Sequence, residues 1–308
     1  MISGNRERAI GRRAPRPSVT RVLSWLLTAL AIGFVGAMVV MFAWQSGPVW
    51  RREGAGFITG TRWFFTALEF GAAPMIYGSI VVAAIALLIA APIGIGAAVF
   101  TSELLPRRLR IVVKVWIELL AGVPSVIYGL LGVLFLREWV YRALEPLEID
   151  SGDTLLTAGV LLAVMILPTV MTLSDDALRS VPASHRQAAR ALGLTRTEAI
   201  LHVALPQARA GITAAILLGL GRALGETIAV FLVVGRRDNQ WPESLLSLRP
   251  LIESGQTLTS KLGGSETNIA YGDPLHWGAM IGLCLLLLLL GGGATFAGAW
   301  LSHRRGHA

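Results

Sequence analysis

Three stretches of this chain, residues 22–44, 76–101 and 274–301, contain no Asp, Glu, Lys or Arg. Each exceeds the ~20 helical residues needed to cross ~30 Å of hydrocarbon. Lipid offers no partner to unpaired backbone groups, so segments of this kind cross as helices. The apolar/polar alternation of an outer-membrane barrel is absent from these runs. Composition agrees: 54% of residues are hydrophobic and 15% charged, with a mean hydropathy of +0.63. A soluble domain carries about a quarter charged residues. The sequence therefore predicts an all-α, polytopic membrane protein.

Six spans are expected, at roughly 22–44, 75–101, 111–136, 154–174, 209–235 and 275–301. The third contains Gly122-Val123-Pro124-Ser125 and should kink or break, and Pro92, Gly94 and Gly96 should loosen the second. Irregular backbone at this depth either lines a water-filled path or is a packing kink, and both readings stand. Arg6, Arg8, Arg12, Arg13 and Arg16 precede the first span, as in a secretory signal. The apolar segment is longer than a signal core of ~7–15 residues and lacks a small-residue cleavage site, so an uncleaved span is expected. The division is thus an Arg-rich tail (1–21), a permease-like domain (22–301) with a patterned loop at 175–207, and a short tail (302–308).

The net charge of +8 invites a nucleic-acid reading, but the basic residues lie in short connections rather than on one soluble face. No nucleic-acid partner is expected. Arg107, Arg108, Arg110, Arg179, Arg186, Arg190, Arg196, Arg209, Arg304 and Arg305 fall with the N-terminal tail on one side of a six-span chain. Glu138, Glu145, Glu148, Asp150 and Asp153 fall on the other; Arg51, Arg52, Arg236 and Arg237 oppose the bias without reversing it. Both termini are expected in the cytoplasm, in a cytoplasmic (inner) membrane. The Arg-rich tail either binds anionic membrane lipid or only sets topology.

The loop between the fourth and fifth spans carries the most pattern. Ser184 with Gln187, and Thr195 with Glu198, have capping-box spacing. Gly193 falls where the first short helix should end, and Pro206 is expected to close the second. Two short helices with a tight bend are predicted.

Gln187-Ala188-Ala189, three residues, Gly193, nine residues, then Val203-Ala204-Leu205-Pro206 resembles the signature of ABC importer permeases, Glu-Ala-Ala-x3-Gly-x9-Ile-x-Leu-Pro. The resemblance implies a type I importer permease fold whose coupling helix docks on a separate ATPase subunit. Gln187 and Val203 depart from it, and Gln187 puts in doubt any salt bridge made by the family's Glu.

Gly221-Arg222-Ala223-Leu224-Gly225-Glu226-Thr227 sits within the fifth span. A charge at the centre of a spanning helix costs about 2.5–3.5 kcal/mol and marks a functional candidate. On one helix, Arg222 and Glu226 would share a face: either a pair locking helices, or an Arg on a translocation path meeting an anion. Ser125, Tyr128 and Thr227 could add hydroxyl donors, or could bond their own backbone. Lys114 and Glu118 are a second four-apart pair, with Glu118 the deeper candidate.

The 221–227 segment is also similar to the phosphate-specific, PstC-type branch of that family, as are 122–129 and Tyr77-Gly78-Ser79. This implies phosphate import with an extracytoplasmic phosphate-binding protein, a sister permease in a heterodimer and an ATPase. Molybdate and sulfate permeases share the coupling signature.

Neither Lys114 nor Lys261, the only lysines, follows a Gly-x-x-x-x-Gly frame. ATP should therefore be used by a partner, and this chain should bind no cofactor or metal. A secondary transporter would need inverted repeats that are not evident. An intramembrane enzyme would find Ser125 and Glu118 but no accompanying His. The outer connection at 236–274 either docks a solute-binding protein or covers the pore. Cys284, the only cysteine, lies in the last apolar run and reads as packing.

Overall fold

The computed structural model describes residues 19–242 and 249–305, with side chains described to residue 300. Arg6 to Arg16 and the side chains of Arg304 and Arg305 lie outside the described residues. The chain divides into two units, Met1–Trp44 and Gln45–Ala308. Helix α1 (Val19–Gln45) occupies the first to its last residue and has no buried side chain.

The second unit opens with α2 (Gly47–Glu53), α3 (Gly56–Thr59) and an antiparallel hairpin of β1 (Trp63–Phe64) and β2 (Glu69–Phe70). Helix α4 (Ala73–Val99) then runs into a π-helical turn, Phe100–Leu104. It stops where Pro106 forces Leu105 into an extended conformation (φ −81°, ψ 136°). Helices α5 (Arg107–Ala121), α6 (Ser125–Leu131) and α7 (Arg137–Leu144) follow, then α8 (Leu155–Ser180). Beyond α8 come α9 (Ala183–Ala191), α10 (Arg196–Ala199), α11 (Leu205–Gly225), α12 (Ile228–Val233), α13 (Leu258–Leu262), α14 (Glu266–Ala270) and α15 (Pro274–Arg305).

Five helical stretches are long and apolar enough to span a membrane, and the bent pair from α5 to residue 147 makes a sixth. The third span is broken as the Gly-Val-Pro sequence predicts, with an 86° bend. The second is not loosened: α4 continues through Pro92, and Gly94 serves close packing instead. A Cβ at Gly94 would come within 3.1 Å of Val170 Cγ1 on α8. The fifth span needs a larger correction. Its helix begins at Arg196, not 209, passes through a π-helical turn (Ile200–Ala204) and ends at Gly225.

Helix α8 is the central element, with 67% of its apolar window buried against 28% for α4, α11 and α15. It packs on α4 and α11, α11 packs on α15, and α6 on α12. Small residues let these backbones approach, the usual basis of helix association in lipid; Ala83, Ala86, Ala90, Ala158 and Ala163 are all buried in the central cluster.

The end holding the start of α4 carries folded connections, in which charges of the 236–274 segment pair with one another. Lys261 on α13 is 3% exposed, with Nζ 2.7 Å from Asp238 Oδ2 and 2.5 Å from Glu266 Oε2. Trp63 Nε1 donates to Glu266 Oε1 (2.6 Å), and His276 Nε2 lies 2.9 Å from the same oxygen. Burial works to raise the Glu266 pKa, but hydrogen bonds from Lys261 and Trp63, the Lys261 charge and the His276 contact outweigh it and hold it below the usual value. A depressed carboxylate stabilises the fold above its unfolded pKa, about 4.3 for Glu. That contribution is lost as pH falls through the lower folded value. Thermal midpoints measured down a pH series should therefore drop below pH ~4 in the wild type. The drop should be shallower in Glu266→Gln.

Candidate functional site: the coupling loop and a broken-helix charge site

Helix α9 begins after Pro182 and has no side-chain cap, so Ser184 with Gln187 is not a capping box. Proline at the N-cap sets the entry instead, with Val181 extended before it. Thr195 with Glu198 does form one: Glu198 N donates to Thr195 Oγ1 at 3.3 Å, and Thr195 N to Glu198 Oε2 at 2.8 Å. Between them Gly193 has φ +87°. Its N–H reaches Arg190 O (3.0 Å), and Leu194 N reaches Ala189 O (3.2 Å). This is a Schellman closure, for which glycine is the usual residue. Gly193→Val should cost about 1–2 kcal/mol. It would be read as faster amide exchange at residues 192–194 with α8 unchanged; equal exchange would refute the strain.

Pro206 does not close a second short helix. It lies just past the π-helical turn at Ile200–Ala204, inside the helix that begins at Arg196, and that helix runs on into the bundle. Gln187 and Ala188 are exposed, Ala189 and Ala204 buried, and Val203 and Leu205 half-buried. Ala204, Ala208 and Ile212 join Ala98, Met171 and Leu178 in one apolar cluster, with Leu205 against it. The loop is thus a folded corner that packs on the ends of α4 and α8.

Lys114 does not pair with Glu118. Its Nζ reaches Asp175 Oδ2 at 2.8 Å and Asp176 Oδ1 at 3.2 Å, at the end of α8. Asp175 is fully buried and also accepts from Thr101 Oγ1 (3.1 Å). Glu118 is exposed on α5 and has no ion-pair partner among the described residues.

Arg222 and Glu226 are not on one helix. Helix α11 ends at Gly225, Glu226 is extended (ψ 120°), and α12 restarts at Ile228. Glu226 Oε1 instead accepts from Ala229 N (3.3 Å), capping α12 in place of Thr227. Thr227 Oγ1 makes only a long contact (3.4 Å) to Gly225 O. Arg222 Nη1 donates to Thr169 Oγ1 on α8 at 3.0 Å, and the side chain has no carboxylate partner among the described residues.

The two helix breaks meet. Helices α6 and α12 are in contact, and a Cβ on Gly129 would lie 3.0 Å from Ala229 Cα. Tyr128 is buried, and its hydroxyl donates to Leu120 O (2.9 Å), which also accepts from Val123 N (3.3 Å), so the side chain is tied to the end of α5. Ser125 is half-buried in the first turn of α6. Arg222 is thus held by Thr169, a neutral residue that nothing local in the sequence marks except Pro168 beside it.

Residues 90–306 match the family of binding-protein-dependent transport system inner membrane components. The chain is 33% identical over 305 residues to the phosphate transport system permease protein PstC of Mesorhizobium japonicum, covering 94% of this chain and 90% of that protein. It is also 33% identical to PstC of Haemophilus influenzae, covering 88% and 87%. Two solved structures share the fold at low identity. One is a bacterial alginate ABC transporter in complex with an alginate-bound periplasmic protein (TM-score 0.55, 15% identity, 90% of this chain and 95% of that one). The other is the inward-facing MetNI methionine ABC transporter (TM-score 0.51, 19% identity, 74% and 90%). With the broken spans, the α9–α10 corner and this kinship together, the chain belongs to the binding-protein-dependent inner-membrane permease family, in its PstC branch.

Proposed function

We propose that this chain is the permease subunit through which an ATP-driven importer moves inorganic phosphate to the cytoplasm. One observation carries the reading: Arg222, at the junction of two broken spans, is held by the neutral Thr169 hydroxyl and by no carboxylate among the described residues. A guanidinium left uncompensated at this depth favours an arriving anion, and its planar fork matches two oxygens of a tetrahedral oxyanion. Ser125 and Tyr128 in the first turn of α6, and Thr227 at the break before α12, would supply neutral hydroxyls from the two broken spans. Glu226 is no ligand for an anion; its part is to cap α12 and fix the break. Glu118 faces outward on α5, toward whatever completes the path. The kinship with PstC proteins places phosphate first among oxyanions.

The reading includes partners. Arg222 is exposed in the single chain, so a sister permease is required to enclose it, giving a heterodimer. An ATPase subunit binds the 183–206 corner and uses the ATP; this chain holds no nucleotide. A phosphate-binding protein delivers substrate to the end formed by β1, α13 and α14. The arginine-bearing connections put both termini in the cytoplasm, beside anionic lipid.

The test is ATP hydrolysis by the reconstituted complex. Phosphate with its binding protein should stimulate hydrolysis and accumulate in the vesicles, while sulfate and molybdate should not. Stimulation by another oxyanion in its place would sink the phosphate assignment. Transport that persists without the ATPase subunit would sink the importer.

A further inference from the structure

The turn that ends α4 holds more of the coupling loop than the loop's own sequence discloses. Because α4 stops at Leu105, the carbonyls of Thr101, Ser102 and Glu103 have no helical N–H to receive. Arginines from elsewhere fill them. Arg110 Nε donates to Thr101 O (2.6 Å) and its Nη2 to Ser102 O (2.6 Å), tying α5 to the turn. Arg196, at the start of α10, donates to Glu103 O. The Glu103 carboxylate accepts from Arg186 Nη2 on α9 at 2.6 Å, with the two side chains only 11% and 21% exposed. The same guanidinium donates to Leu178 O (2.7 Å) and Val181 O (2.8 Å), the carbonyls at the end of α8.

Glu103 therefore touches both helices of the coupling corner, α9 through its carboxylate and α10 through its carbonyl. Two residues away, Thr101 bonds the buried Asp175 of α8. Among the described residues no other side chain makes an ion pair between the 183–199 corner and the rest of the bundle. Arg186 stands next to Gln187, where the importer signature has a glutamate. Here the carboxylate reaches the loop from the α4–α5 connection instead.

We propose that Glu103 is a positioning residue for transport, the clip that makes the α9–α10 corner move as one body with the ends of α4 and α8. Force applied to the corner by the ATPase then reaches α8, which carries Thr169 and so the Arg222 site. Without the clip α9 keeps its bonds to the end of α8 but loses its ion pair with the turn that ends α4, so the corner can shift relative to α4. This inference rests on the importer reading above.

The experiment measures phosphate accumulated per ATP hydrolysed by the reconstituted complex of this chain, its sister permease, the ATPase subunit and the binding protein. Glu103→Gln keeps the size of the side chain and removes its charge. The ratio should fall at least threefold in an assembled complex, because uptake drops more than hydrolysis. Arg186→Gln should produce a similar fall, and the double variant should be no worse than either single change. Glu103→Asp, which keeps the carboxylate, should recover part of the ratio. An unchanged ratio in Glu103→Gln would overturn the proposal, and so would a double variant whose losses multiply. If Glu103→Gln does not assemble, Arg186→Lys carries the same test, since it keeps the charge but cannot span Glu103 and two carbonyls at once. Failure of phosphate to stimulate the wild-type complex would instead strike the importer reading, and leave the ratio to be measured with whichever oxyanion does stimulate.

Discussion

Replacing Arg222 with Ala is expected to lower phosphate uptake roughly 10- to 100-fold, with the protein still accumulating in the membrane. The magnitude follows from what is lost: hydrogen bonds to a charged group are worth about 1.5–3 kcal/mol each. In the folded chain Arg222 gives up one hydrogen bond, to Thr169 Oγ1, so the bundle itself should lose little. Arg222→Lys should restore only part of the activity, since an ammonium lacks the two-pronged geometry of the guanidinium. Thr169→Val leaves the charge in place and frees its orientation, so the expected loss is several-fold and confined to half-saturation. The measurement is initial-rate uptake of labelled phosphate in cells lacking other phosphate importers, normalised to permease in the membrane. Wild-type uptake by Arg222→Ala would remove Arg222 from the path.

The importance of Arg222 was legible in the sequence, and its partner was not. A charge inside an apolar run stands out without any structure. The four-residue spacing to Glu226 suggested an intrahelical pair because it assumed that the helix continued. Gly225-Glu226-Thr227 gives a weak break signal, with one glycine and no proline, and the break is completed by Glu226 turning to cap Ala229. Lys114 and Glu118 misled in the same way. Tertiary geometry gave Lys114 the pair at Asp175 and Asp176, sixty residues along the chain. The third-span break was readable because Gly122 and Pro124 both act locally. So was the Gly193 closure, which depends only on a backbone angle. Proline is usually a stop inside a helix; Pro206 is not one, because it follows the π-helical turn at Ile200–Ala204, where the hydrogen-bond ladder is already altered. The outer lysine network could not be read at all, because Asp238, Lys261 and Glu266 are spread along one long connection and meet Trp63, 203 residues before Glu266. Local rules thus recovered the spans and corners, whereas contacts between distant segments required the fold.

Removing Lys114 should be the most damaging single change to the fold. Asp175 is fully buried, and its carboxylate is matched by Lys114 at 2.8 Å and by a hydrogen bond from Thr101. Among the described residues Arg179 is the only other cation that pairs with it, at 4.0 Å and half exposed. Lys114→Met keeps most of the apolar stem and leaves Asp175 with its charge uncompensated. Stripping one partner from a buried pair costs about 3–5 kcal/mol, against a total stability of about 5–15 kcal/mol for a typical protein. The expected readings are a clear fall in the midpoint of thermal unfolding in detergent and reduced accumulation in the membrane. Asp175→Asn should be milder, because the amide still accepts from Thr101 and Lys114 retains Asp176 outside. The double variant Lys114→Met with Asp175→Leu removes both charges, and should regain part of the loss for the reason that buried pairs are often replaceable by apolar packing. A double variant less stable than Lys114→Met alone would mean that Asp175 matters through its bond to Thr101 rather than through its charge. The turn at the end of α4, and not the ion pair, would then hold α8 in register with the coupling corner.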